Sequence, residues 1–262
     1  MSPRSDRRRS GAGAKRPATP ADLAARAAKA RATGAGRAAE DRARRMVAAY
    51  LQTAASHDLP LARVVGELAD GTAALRLGEA AHDMLMHAPP PVVTQAACRD
   101  GCAFCCLLIG GDGGTITEAE AIRLHDALSP LAGQPDGRAW HPSACAALDP
   151  DSRSCRAYDA RPTICRSFMS TDAEACRINA EGGAAEGAGL LGSHLDYLAV
   201  QALARDLLKG LARVSTYSMA RIAAGAVAGE PRDDSLAAAR HKPRALEDAC
   251  RDAAKAMAGR RG

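Results

Sequence analysis

Eight of the nine cysteines in this chain fall between Cys98 and Cys176, starting with the knot Cys98-Arg-Asp-Gly-Cys102-Ala-Phe-Cys105-Cys106. The ninth, Cys250, stands alone 74 residues further on. So uneven a distribution makes the thiols the business of one local structure. Three chemistries compete for such a cluster: a disulfide framework, a redox-active pair, or a set of metal ligands. The odd total and the vicinal pair Cys105-Cys106 suit a disulfide framework poorly. A chain of 262 residues also buries enough apolar surface to fold without staples.

No apolar signal-peptide core precedes the cluster, and no run approaches the ~18 apolar residues of a membrane span. The expectation is therefore a cytoplasmic protein with no membrane partner, in a compartment that keeps thiols reduced. The net charge of +5 is unevenly placed. Residues 1–45 carry 13 Lys and Arg against four acids, so the remainder is mildly acidic and no specific nucleic-acid surface is implied. Residues 1–37, basic and rich in Ala, Gly and Pro, read as a disordered tail.

Helical periodicity organises the rest. Met46, Val47, Tyr50, Leu51 and Ala54 predict an amphipathic helix over about 38–57. Leu61, Val64, Val65 and Leu68 begin another after Pro60, and Leu75, Leu77, Ala81, Met84 and Leu85 either continue it or form a successor after Gly71. Pro89-Pro90-Pro91 then ends the helical run. Thr117-Glu-Ala-Glu120 has the form of a capping box, predicting a helix over 118–128. Further helices are expected from Leu191 to Leu211, over 219–227 and over 244–258. No strand alternation supports a sheet. The fold class is mostly α, a helical protein with a loop-rich cysteine core. Its parts are a tail (1–37), a helical segment (38–93), a cysteine-cluster domain (94–180), a second helical segment (181–228) and a charged tail with one helix (229–262).

Within the cluster, Cys98-x3-Cys102-x2-Cys105 lets three thiolates converge from one short turn, the usual knuckle of zinc and iron–sulfur sites. Cys106 adds a sulfur, although adjacent side chains are expected to diverge. Cys145, Cys155, Cys165 and Cys176, about ten residues apart in polar stretches, read as the returning half of the site. Five cysteines, including Cys250, are followed directly by arginine, and nearby cations favour thiolates. Four of the seven aromatic residues, Phe104, Trp140, Tyr158 and Phe168, lie in the same segment and are candidates for drying it. His141 is a weaker ligand candidate where thiols abound. Cys250 is expected to be no ligand.

The knot, together with Cys155-Arg-Ala-Tyr158-Asp-Ala-Arg161-Pro162-Thr-Ile-Cys165-Arg166-Ser-Phe168, resembles the YkgJ-type cysteine-cluster family, a zinc- or iron-chelating domain with a CxxCxxCC-like start. The first gap here is three residues, where the family has two. The resemblance covers residues 95–180. It implies eight ligands, Cys98, Cys102, Cys105, Cys106, Cys145, Cys155, Cys165 and Cys176, for zinc or iron, a [4Fe–4S] cluster among the iron forms. It also extends distantly to flagellin lysine N-methylases, which implies, as an alternative, an S-adenosylmethionine-dependent enzyme. Cys98-x3-Cys102-x2-Cys105 has radical S-adenosylmethionine spacing too, but the strand–helix repeats of that fold are absent. A thiol redox protein is the remaining alternative. No triad, P-loop or dinucleotide fingerprint names a substrate, so whether the protein is an enzyme stays open.

Overall fold

The computed structural model describes residues 17–109, 111–186 and 188–258. Among them are twelve α-helices and four strands of two or three residues, so the protein is mostly α.

The helices are α1 (Pro20–Ala27), α2 (Arg37–Ser56), α3 (Leu61–Asp70), α4 (Thr72–His87), α5 (Pro91–Thr94), α6 (Glu118–Leu128), α7 (Thr163–Ser167), α8 (Ala173–Ala180), α9 (Gly192–Leu207), α10 (Met219–Val227), α11 (Arg232–Ala239) and α12 (Ala245–Ala258). Apolar stripes and caps account for most boundaries. Thr117 caps α6 through its side chain, and Glu120 returns the bond to the Thr117 backbone, completing the expected box. Gly71 separates α3 from α4 at φ +88°, and a Cβ there would lie 2.3 Å from the Thr117 Cβ. Only glycine fits both the left-handed turn and that close approach.

Two hydrophobic clusters result. In the first, α9 is buried on nearly every side, with Leu195, Leu198, Val200, Leu203 and Leu207 all in the core. Around it pack α1, α2, α3, α4 and α12. In the second cluster, α6, α10 and α11 enclose Leu124, Leu128, Ile222 and Val227, together with the 144–148 loop. Two small antiparallel pairs tie distant segments. Strand β1 (Thr115–Ile116) pairs with β4 (Tyr217–Ser218), which sets the start of α6 beside that of α10. Strand β2 (Phe168–Ser170) pairs with β3 (Ala188–Leu190), which joins the chain after α7 to the entry of α9.

The expected disordered tail over 1–37 needs correcting from residue 17 onward; residues 1–16 lie outside the described residues. Leu23, Ala27, Ala30, Ala32 and Ala35 are buried in the first cluster, and a Thr19–Asp22 capping box starts α1. Alanine-rich composition reads as weakly apolar, but alanine lets helices approach closely, and one leucine then suffices to dock a short one. Helices α8 and α11 were not expected. Cys176 therefore stands on a helix, α8, and not in a polar stretch, while Cys165 stands on α7, the short helix that follows Pro162.

Candidate metal centre

The first four thiols sit on tight local turns. Cys98 follows α5 and is exposed; Ala97 N–H donates to Ser170 O at 2.8 Å, and the Cys98 Sγ lies 3.9 Å from the same oxygen. Gly101, at φ +74°, lets the chain reverse so that Cys102 N–H reaches Arg99 O at 3.0 Å. Phe104–Cys106 is one 3-10 turn. On it the Cys105 and Cys106 sulfurs lie 4.0 Å apart, so these adjacent side chains converge where divergence was expected.

The returning half is laced onto that turn by its backbone. Cys145 N–H donates to Cys106 O at 2.9 Å and Leu107 bridges to Ala144, while within the returning half Leu148 bridges to Cys155. Cys165, on α7, places its Sγ 3.3 Å from the Met219 sulfur. Helix α8, which carries Cys176, packs against the 3-10 turn and β2. All eight expected cysteines thus share one region, whereas Cys250 is buried in the first cluster on α12.

Electrostatics resolves two overlapping sets. Burial pushes the Cys145 thiol up to about 11, with charge on Cys155, Asp136 and Cys105 adding to it. Burial likewise raises Cys165, and Cys145, Cys155 and Cys105 act in the same direction. Cys155 is raised by burial against the opposing pull of Arg161 and Arg156. These thiols and Cys106 form an inner set against the second cluster. Cys176, raised by burial, feels Cys105, Cys102 and Cys98, an outer set. Cys105 belongs to both. Its thiol is lowered to about 7, chiefly by the contact with Cys106 and further by Arg161, while that same contact, with burial, drives Cys106 up.

Among the described residues no three Cys, His, Asp or Glu side chains already converge on one metal position. The donor set nevertheless suits a thiophilic metal. Thiolates on one tetrahedral zinc, with Zn–S of 2.3 Å, stand roughly 3.8 Å apart, close to the 4.0 Å of the Cys105–Cys106 pair. Each buried thiol resists ionising beside the others, and a bound cation is the charge that lets several ionise together.

The arginines that follow cysteines mostly serve other ends. Arg166 donates to Arg161 O and Asp159 O, Arg177 pairs with Glu174 and Glu181, and Arg251 with Glu247 and Asp248. Arg161, which follows no cysteine, reaches two thiols and lies 3.6 Å from the ring of Tyr158. Tyr158 is 61% exposed and dries nothing. His141 accepts from Ser143 N–H at 3.1 Å through Nδ1 and, with Phe104, Leu107 and Trp140, lines a cleft of about 490 Å³ beside the knot. Met219 at Cys165 and the buried set Glu120, Thr163 and Tyr197 are side chains that spacing did not single out. Only the local capping box hinted at one of them.

Residues 97–182 match the family model CxxCxxCC, described as "Putative zinc- or iron-chelating domain". That is the family whose resemblance the cysteine spacing carries, over nearly the same residues. No curated protein and no solved structure matches the chain.

Proposed function

We propose, on the premise that residues 97–182 are a domain of this zinc- or iron-chelating kind, that the protein binds metal through Cys98, Cys102, Cys105, Cys106, Cys145, Cys155, Cys165 and Cys176. The single observation that carries the reading is the lacing of the 144–155 loop onto the Cys105–Cys106 turn. It brings Cys145 and Cys155 to the Cys105–Cys106 turn across 39 to 50 positions of sequence, and packing alone has no need of so many sulfurs. The inner set, walled by the second cluster, forms the drier pole; in the outer set Cys98 and Cys105 are exposed, and theirs is the side from which metal enters. Zinc would close such thiolates into a structural crosslink, whereas an iron–sulfur cluster would supply electron transfer. Ligation requires reduced sulfur, which supports a cytoplasmic setting; no helix among the described residues is long and apolar enough to cross a membrane.

The test is metal content and absorption of full-length protein purified without oxygen. Bound zinc or iron is expected, and Cys102→Ser and Cys165→Ser should each lower it, because one comes from each set. Ligand loss should also loosen residues 97–182 in hydrogen exchange, since structural zinc contributes ~10–16 kcal/mol in small modules. Metal-free parent protein, or full metal in both variants, would refute the assignment. In that case the Cys105–Cys106 pair, with one thiol poised near neutrality, points to thiol exchange.

A further inference from the structure

Glu120 is buried at 2% exposure, and its carboxylate serves two helices at once. Oε2 accepts from Thr117 N–H at 3.3 Å, closing the capping box of α6, and from the hydroxyl of Tyr197. Oε1 is spent elsewhere: Thr163 N–H and Thr163 Oγ1–H both donate to it at 2.7 Å. Among the described residues no lysine, arginine or histidine forms an ion pair with this carboxylate. Four donors from three elements satisfy it instead.

The Oε1 bonds fall where they matter most. Helix α7 has five residues and no side-chain cap of its own, since Pro162 stands at its N-cap. A helix this short does not hold its shape unaided. Its first N–H group is met by Glu120, and Cys165 lies two residues further along. Tyr197 belongs to α9 at the heart of the first cluster, is 1% exposed, and itself receives Thr117 N–H at 3.1 Å. Tyr197 fixes Glu120, Glu120 fixes Thr163, and Thr163 opens the turn that presents Cys165.

We propose that Glu120 and Tyr197 are positioning residues for the metal centre, setting the place of the Cys165 sulfur from α6 and from α9, the second of which lies outside the cysteine segment. The inference rests on the metal-binding reading above. Ligand orientation by outer groups typically governs metal affinity by about 10–100-fold, and that is the effect expected here.

The experiment uses the full chain, stripped of metal and titrated with Co²⁺ in competition with a chelator, reading the thiolate–cobalt absorption. Tyr197→Phe removes one oxygen and keeps the ring; Glu120→Gln leaves two donors facing an amide nitrogen. Tyr50→Phe is the control, because the Tyr50 hydroxyl donates to Glu67 at 2.8 Å in the first cluster, away from the cysteines. Both test variants should bind Co²⁺ at least about 10-fold more weakly, with a changed absorption envelope, while Tyr50→Phe matches the parent. Should Glu120→Gln not fold, Tyr197→Phe decides alone. Parent-like affinity and spectrum in Tyr197→Phe, or equal weakening in Tyr50→Phe, would overturn the proposal. Failure of the parent to take up Co²⁺ would instead overturn the metal-binding reading beneath it.

Discussion

Cys250→Ser separates the ninth thiol from the other eight. Cys250 is fully buried on α12, burial pushes its thiol up to about 12, and its Cβ would stand 3.1 Å from a Cβ at Gly34, so the site is tight as well as apolar. Serine puts a hydroxyl there. An unpaired buried hydroxyl costs about 1–3 kcal/mol in proteins, and a back-bond to the carbonyl of Leu246, one turn earlier, pulls the value toward the lower end. At about 2–4 °C per kcal/mol for a chain of this size, a cost of about 1–2 kcal/mol should lower the melting midpoint by roughly 2–8 °C. The assay pairs calorimetry with metal analysis on the same preparation. Metal content should equal that of the parent, and Cys250→Ala, which adds no polar group, should isolate the hydroxyl's share. Loss of metal would place α12 over the cysteine centre and refute the partition into separate thiols; an unchanged melting point would show that the site is not dry.

Leu23→Ala should cost about 2–5 kcal/mol by thermal or denaturant unfolding, as a fully buried leucine in the first cluster; a surface-like effect would mean that α1 does not dock. In metal-free protein Cys105 should be the first thiol alkylated, its rate rising through pH 7 as the thiolate forms, and metal should protect it; equal rates at all eight thiols would contradict this. Burial lowers His194 to about 4, so the unfolded chain takes up the proton first as pH falls. Its stabilising contribution is complete above pH 6.5 and should be lost between 6.5 and 4, amounting to roughly 3 kcal/mol. A His194→Leu variant whose stability keeps the parent's slope over that window would rule it out.

Local signals were enough for much of this protein. The capping box at Thr117–Glu120 and the apolar stripe from Met219 to Val227 each act within one or two turns, and each is realised where the sequence places it. The CxxCxxCC-like knot and the Cys155–Phe168 signature likewise identified the cysteine segment, because ligand spacing is a property of neighbouring residues. Helix α1 was hidden because its docking depends on alanines whose burial no periodicity announces. That Cys105 and Cys106 turn their sulfurs to within 4.0 Å, that Arg161 and not the arginines following most cysteines reaches the thiols, and that the carboxylate of a capping box also holds the start of α7 follow only from tertiary structure. Those contacts join residues 43 to 77 positions apart or depend on a single turn's handedness. Sequence spacing names the atoms able to meet; the packing of α6, α7 and α9 around one buried carboxylate decides which of them do.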